Sequence, residues 1–503
     1  MATDPLLLNA PRRVQAGRAD GGAPPQWLWS GAALQDWTHR LMQATGRPQR
    51  DWVSQAGHQL AALSLALYPH ARRIWVLCGP GANGLDGWHA AAVLKGWGKA
   101  VVITASQAPP PELADLAADC TTALPEQWDL AVDALYGVGL NRRIDDQDPS
   151  GSWLVHLYQS GRPMLHADLP SGLCPNTGTW LGPRVDAPRG PRHTLAMLGM
   201  SVGLWTHQGR DHAGEVWLSE SPLPCPLTST VELVKASPVA QRVHDSHKGR
   251  HGHVIVAGGQ PGMQGAALLA ARSALTHGAG VVHWFAPPSP ESPPTPPAPT
   301  DLPTLPIQIL PAWPSMLAPQ DVVVAGCGAG AWDEAFWHAV LSRSPRLVLD
   351  ADGLNAVARH TRLAPVLAQR LHHQQTTVIT PHPLEAARML GCSAADVQAD
   401  RLQAARRLAE RFQCVSVLKG SGTVISQPGG HCWINPTGNA RLATAGSGDV
   451  LAGFIGALMA QGLPACQAAQ HAVFEMGWMA DQGSLQTHLA WTADQQALFT
   501  GPG

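Results

Sequence analysis

Short apolar runs of strand length recur along this chain, and most lead through a glycine-bearing turn into a helix-forming stretch. That alternation leaves few folds open. Strands joined through helices run parallel, and a parallel sheet needs helices on both faces. In a first block, strands are read at Arg72–Cys78, Ala100–Thr104, Asp129–Ala134 and Pro163–Asp168, with a helix around Trp88–Lys95. In a second block they are read at Val254–Gly258, Val281–Phe285, Asp321–Ala325, Arg346–Leu349, Thr377–Thr380 and Cys414–Leu418. Helices there are read at Gly265–His277 and Gly448–Gln461. The rhythm lapses between Cys225 and Asp245. The expectation is α/β throughout, in two domains at residues 1–225 and 246–503, joined by a linker over 226–245. The 503 residues give room for this, at about 100–200 residues per domain.

Charge excludes some partners. Lys and Arg number 34 against 36 Asp and Glu, a net charge of −2. This offers no polybasic surface for nucleic acid and no acidic tail. Nine cysteines without a CxxC pair argue against a disulfide framework and for a reducing, cytoplasmic setting. Arg12, Arg13 and Arg18 are not followed by an apolar signal region, and the apolar stretch Leu60–Leu67 is too short to span a bilayer. No membrane association is expected; a homo-oligomer is. The segment Pro287–Pro306 holds ten prolines and reads as a solvated loop or, less simply, a polyproline ligand. Only five cations are lysines: Lys95, Lys99, Lys235, Lys248 and Lys419. Where arginine is the default, each compact ammonium needs a reason.

Three turns in the first block fall at strand ends: Cys78-Gly-Pro-Gly-Ala-Asn-Gly-Leu-Asp-Gly87, Asp133-Ala-Leu-Tyr-Gly-Val-Gly-Leu-Asn-Arg-Arg143 and Asp168-Leu-Pro-Ser-Gly172. The carboxyl edge of a parallel sheet is where ligands bind. Glycine lets backbone approach a ligand, and a helix start offers free N–H groups to phosphate. Together the turns put Asn83, Asp86, Asp133, Asp168 and Ser171 on one rim, with oxygens suited to a hard cation. Read singly, these are ordinary turn and cap residues.

With those motifs in place, the block resembles the NAD(P)HX epimerase domain of bifunctional NAD(P)H-hydrate repair enzymes, whose loops read CGPGNNGGDG, DALFGTGL and DIPSG. The resemblance implies a Rossmann-like three-layer domain binding hydrated nicotinamide dinucleotide near a potassium ion. It would place the ion on Asn83, Asp133 and Ser171. The dinucleotide would meet Asn83, Gly84, Leu85, Asp86, Gly137, Val138, Gly139, Leu140, Asn141, Arg142, Arg143 and Asp168, the last as acid/base. Three positions depart from the family: Ala82 and Leu85 in the first loop, and Ser201 where a lysine is common.

In the second block, Gly446-Ser-Gly448 precedes a long apolar helix, so its unpaired N–H groups form an anion hole. Asp449 lies at that helix start, where the dipole favours its ionised form and an arriving phosphate opposes it. Such a carboxylate is suited to take a proton from a hydroxyl; a simple helix cap is the plainer reading. A second loop, Leu418-Lys-Gly-Ser-Gly-Thr423, brings Lys419 to a strand end, where its charge can meet phosphate. Lys248 can do the same or pair at the surface. His244, His247, His251 and His253 crowd the entrance, but no cysteine or carboxylate completes a zinc pattern.

The order of these turns resembles the ribokinase-like superfamily, and more narrowly the ADP/ATP-dependent NAD(P)HX dehydratases. The likeness runs through Gly326-Cys-Gly328, Asp350-Ala-Asp352, Thr380-Pro-His-Pro383 with Glu385, Lys419–Thr423 and Gly446–Asp449, with Cys327 where proline is usual. It implies a ribokinase-like α/β domain with nucleotide on Lys419, Gly420, Ser421, Gly422, Thr423 and Gly448. The hydrate would lie on Ala266, Gly328, His382 and Asp449, with Asp449 the catalytic base. The implied substrates are NADHX and NADPHX, with ADP or else ATP as phosphoryl donor and Mg2+ alongside. The other reading is a ribokinase-like kinase of a small hydroxylated metabolite, with the first block a non-catalytic nucleotide-binding module.

Overall fold

Strand Arg73–Cys78 lies inside the first sheet, and its residues Ile74 to Leu77 are almost wholly buried, as a strand covered on both faces requires. The computed structural model describes residues 7–15, 25–145, 147–185, 188–235, 242–286 and 306–483. The Pro-rich segment falls almost entirely outside them. The chain forms two units, one of residues 7–15 and 25–232, the other from residue 233 onward.

The first unit holds an eight-stranded sheet. Its order is Arg12–Arg13, Glu215–Ser219, Arg192–Met197, Met164–Ala167, Leu130–Ala134, Arg73–Cys78, Ala100–Ala105 and Cys120–Thr121. All neighbours are parallel except the first pair. Arg73–Cys78 is flanked by Ala100–Ala105 on one side and Leu130–Ala134 on the other. The strand order reverses there, which opens a crevice beyond the strand ends. The helix that follows runs over Ala82–Gly96, so it starts well before the expected Trp88. Asn83 to Asp86 are its first turn rather than a loop. Gly87 lets it sit directly on the sheet: a Cβ there would lie 2.7 Å from that of Ala134.

The second unit holds a ten-stranded sheet whose first strand crosses the division at residue 233. From Val231–Leu233 it passes through Cys432–Ile434, Val424–Ser426, Val415–Leu418, Thr376–Ile379, Arg346–Leu349 and Val322–Ala325. It ends with His253–Ala257, Val281–Phe285 and Ile307–Ile309. From Val415–Leu418 to Ile307–Ile309 it is parallel. Its reversal lies at His253–Ala257, between Val281–Phe285 and Val322–Ala325. Helix Ser447–Ala460 is buried at every position from Val450 to Ala460. A helix apolar all round belongs inside a core, so its N-terminal turn is the part left to meet a ligand. Gln264–Thr276 packs on it, and the Ser273 hydroxyl donates to the Val450 carbonyl at 2.7 Å. All nine cysteines are free thiols. Among the described residues no helix is long and apolar enough to cross a membrane.

Two candidate active sites

In the first unit, strand register brings Asp133 opposite His166. Both are fully buried, and His166 Nδ1 lies 2.8 Å from Asp133 Oδ2. Ser171 closes the group. Its backbone N–H donates to Asp133 Oδ2 at 2.9 Å and its hydroxyl to Oδ1 at 2.6 Å, while the Tyr136 N–H donates to Ser171 Oγ. Two of the three expected cation ligands are thus in direct contact. The third, Asn83, is buried, and neither atom of its amide has a hydrogen-bond partner. It lies against Gly137, where a Cβ would approach its Oδ1 to 3.1 Å. A buried amide without partners is costly, and a ligand at this rim would relieve it.

Asp168 follows on the same edge with a left-handed backbone, φ 61°. Burial pushes its carboxyl up to about 7, against a hydrogen bond from the Met197 N–H that pulls it down. Burial, then the charge of Asp168, hold Asp86 well above the usual carboxylate range. Two coupled acids at a crevice, one titrating near neutrality, can give and take protons. Asn141, Arg142 and Arg143 are exposed, Gly137 and Val138 are half-buried and Leu140 is buried. Leu85 lies in the helix without positive φ, so its side chain brings no backbone strain. Ser201 is buried with its hydroxyl unpartnered.

In the second unit, helix Ser447–Ala460 has Gly446 as its N-cap, with φ 89° and no capping side chain. Gly448 is bare toward the site; a Cβ there would sit 3.1 Å from Lys419 Nζ and 3.5 Å from Asp350 Oδ2. Asp449 is in the first turn. Burial and then the charge of Asp350 push it up to about 6, while Cys327 and Lys419 pull it down. Lys419 does not stand free for phosphate. It pairs with buried Asp350 at 2.7 Å. Burial works against its ammonium, but Asp350 and Glu385 outweigh that and its pKa is raised. The loop after Lys419 is shaped by Gly420 and Gly422, both at positive φ, and by buried Arg401, which donates to the Leu418 and Lys419 carbonyls.

Gly328, at φ 61°, lies against Ala266; a Cβ there would be 3.0 Å from Ala266 Cβ. His382 caps helix Pro383–Leu390 in a reciprocal box with Glu385, whose carboxyl burial pushes up to about 7. Around Asp449 the structure gathers Gly448, Lys419 and, through Lys419 and Asp350, Glu385 and His382. It adds Cys327, Asp350 and Asp449 as a tight group, their ligand atoms all within 4.8 Å. The four histidines of the approach segment form no such group among the described residues. Lys248 is exposed. The sequence motifs assign no role to His166, Asp350 or Cys327. Their partners lie far along the chain, 33 residues for His166 and 69 for the Lys419–Asp350 pair.

Crevices at both sheet reversals, one beside an uncapped helix start and a raised carboxylate, define an α/β enzyme that handles nucleotides. A family model described as YjeF-related protein N-terminus matches residues 38–203, and one described as NAD(P)H-hydrate dehydratase matches residues 254–499. The chain is 32% identical over 469 residues to the bifunctional NAD(P)H-hydrate repair enzyme of Escherichia coli strain K12, covering 88% of this chain and 87% of that one. It is 34% identical over 470 residues to that of Coxiella burnetii, covering 88% and 92%. A solved ADP/ATP-dependent NAD(P)H-hydrate dehydratase from Bacillus subtilis, crystallised with ATP and Mg2+, is 29% identical, covers 52% of this chain and 88% of its own, and gives a TM-score of 0.40. The chain belongs to the family of bifunctional NAD(P)H-hydrate repair enzymes.

Proposed function

We propose that the second unit dehydrates the S epimer of NADHX and NADPHX with ADP as phosphoryl donor, and that the first unit interconverts the R and S epimers. The observation that carries the reading is Asp449, ionisable near neutrality in the first turn of an uncapped helix. In the hydrate, water has added across the nicotinamide 5,6 double bond, and hydroxide on the carbon beside the ring nitrogen leaves poorly. Asp449 takes the proton of that hydroxyl as its oxygen accepts the phosphoryl group from ADP, leaving AMP. The helix N–H groups at Gly448 stabilise the charge in flight. The ring nitrogen lone pair then expels phosphate, and loss of the adjacent proton restores the double bond. Lys419 to Thr423 hold the nucleotide, while Ala266, Gly328 and His382 hold the hydrate. Mg2+ would offset the phosphate charge.

In the first unit, the carbon being epimerised carries both hydroxyl and ring nitrogen. Its configuration is lost when either bond opens, and both routes move a proton at the hydroxyl oxygen. Asp168, titrating at about 7, suits both directions of that transfer. The residues fit potassium: Asn83 Oδ1 is buried and unpartnered, and Asp133 and Ser171, bonded to each other, would supply further oxygens. Bound there, the ion would tie three strand-end segments together and offset the charge of the dinucleotide. Family membership over both halves disfavours the small-metabolite kinase. Free thiols throughout suit a cytoplasmic enzyme. Incubating the full chain with mixed NADPH hydrates and ADP, and following reduced-nicotinamide absorbance, tests the whole reading. Complete recovery at a rate above spontaneous epimerisation supports both activities; no recovery rejects the dehydratase.

A further inference from the structure

We propose that Cys327 is a positioning residue for dehydration, its thiol holding the Asp449 carboxylate in the orientation from which it takes the substrate proton. The inference rests on Asp449 being the base. Cys327 lies in the turn after Val322–Ala325, beside the reversal of the second sheet. Gly326 and Gly328 on either side take positive φ, and the Cys327 carbonyl accepts from the Gly259 N–H at 3.0 Å. The backbone that aims this side chain is therefore fixed from both directions. A fully buried thiol ordinarily packs as a small hydrophobe. This one faces two carboxylates instead: its sulfur, Asp350 and Asp449 lie mutually within 4.8 Å, and its proximity is one of the influences that pull the Asp449 carboxyl down.

The other groups facing Asp449 leave this task open. Asp350 and Asp352, at the start of helix Ala351–Arg359, repel it. Lys419 attracts it but is hydrogen-bonded to Asp350. Glu385 bears on that pair from helix Pro383–Leu390. A thiol is a weak donor. It can orient a carboxylate while leaving it basic enough to accept a proton.

The test uses the full chain with purified S-epimer NADHX and ADP. The parent, Cys327→Ala and Cys327→Ser are compared in kcat and KM across pH, with melting temperatures alongside. Losing a donor to the ionised form raises the carboxylate pKa. The acid limb of kcat for Cys327→Ala should move up by about half a pH unit, so kcat well below the limb falls roughly threefold. KM for ADP should stay constant, and Cys327→Ser should bring the limb back. An unmoved limb overturns the proposal. So does a loss of kcat that is equal at every pH and accompanied by a lower melting temperature, because that marks packing alone. A limb that moves in Cys327→Ala but is not restored by Cys327→Ser also counts against a hydrogen bond from the thiol. Asp449→Asn, run in parallel, separates the two readings. If it turns over normally, the base assignment fails; if it is inactive while the Cys327→Ala limb is unmoved, only the role of Cys327 fails.

Discussion

Asp449 and Asp168 are both carboxylates lifted toward neutrality by burial, and each lift has a consequence that can be measured. Asp449→Asn keeps the shape of the site but removes the base. Dehydration should fall about 100- to 10,000-fold while ADP still binds, as calorimetry with the variant will show; near-normal turnover would make Asp449 a mere cap. Because the ionised form is the active one, parent kcat should decline below about pH 6. Asp168→Asn is gentle to the backbone, since asparagine tolerates the left-handed conformation found there. It should abolish catalysed epimerisation. Its effect on stability has a definite sign. A carboxyl whose folded pKa is raised binds its proton more tightly in the folded state. The stability it contributes is present at pH below 4 and is lost as pH rises through about 7. The variant escapes that loss, so its melting temperature should gain on the parent between those limits and level off above; a constant offset would refute the raised pKa. Lys419→Ala should weaken ADP binding by about 1.5–3 kcal/mol. It should also lower the melting temperature of the nucleotide-free protein, because Asp350 is left buried and unpaired. Unchanged ADP affinity would place Lys419 outside the nucleotide site.

The helix Ser447–Ala460 shows what a whole element contributes. Its apolar body anchors it in the core, so its unsatisfied first-turn N–H groups are held at a fixed place. Gly446 makes the entry possible at φ 89°, where an added Cβ would also meet Leu269 Cδ1 at 2.5 Å. Gly446→Ala should therefore destabilise the protein by about 1–3 kcal/mol and lower kcat, read by denaturant melts and assay together. This helix and the strands around it were legible in the sequence because apolar runs of strand length and a Gly-Ser-Gly entry are local signals. The start of helix Ala82–Gly96 was not. Asn83, Gly84 and Gly87 read as turn residues, yet tight seating on the sheet overrides their propensity. Strands Arg192–Met197 and Glu215–Ser219 carry no strong sequence signal because their apolar runs, Leu195–Met197 and Val216–Leu218, are only three residues long beside polar ends. Side-chain pairs such as Asp133 with His166 carry no local mark, since only strand register brings them together. The candidate sites were legible as loops; their internal hydrogen bonding was not.

At the scale of the molecule, the two activities are expected to be separable, because each unit has its own sheet reversal and its own acidic residues at the strand ends. Asn83, Asp133 and Ser171 come from three strand-end segments of the first unit, and Asp133 and Ser171 are already bonded to each other. If these residues share one potassium ion, replacing potassium by a large organic cation should slow epimerisation and leave dehydration of the S epimer intact. Asp133→Ala should produce the same split, with the melting curve checked because Asp133 also accepts from Ser171 and Leu135 within the core. Recovery of reduced nicotinamide from mixed hydrates would then stall, leaving the R epimer behind. The stall should lift when separately purified parent enzyme is added, since the epimers exchange through solution. Full recovery in the organic cation, at a rate above spontaneous epimerisation, would reject the shared cation site. Loss of both activities in Asp133→Ala would reject their independence. Failure of the parent itself to catalyse epimerisation would instead mark the first unit as a binding module, and Ala82, Leu85 and Ser201 would be the positions to restore first.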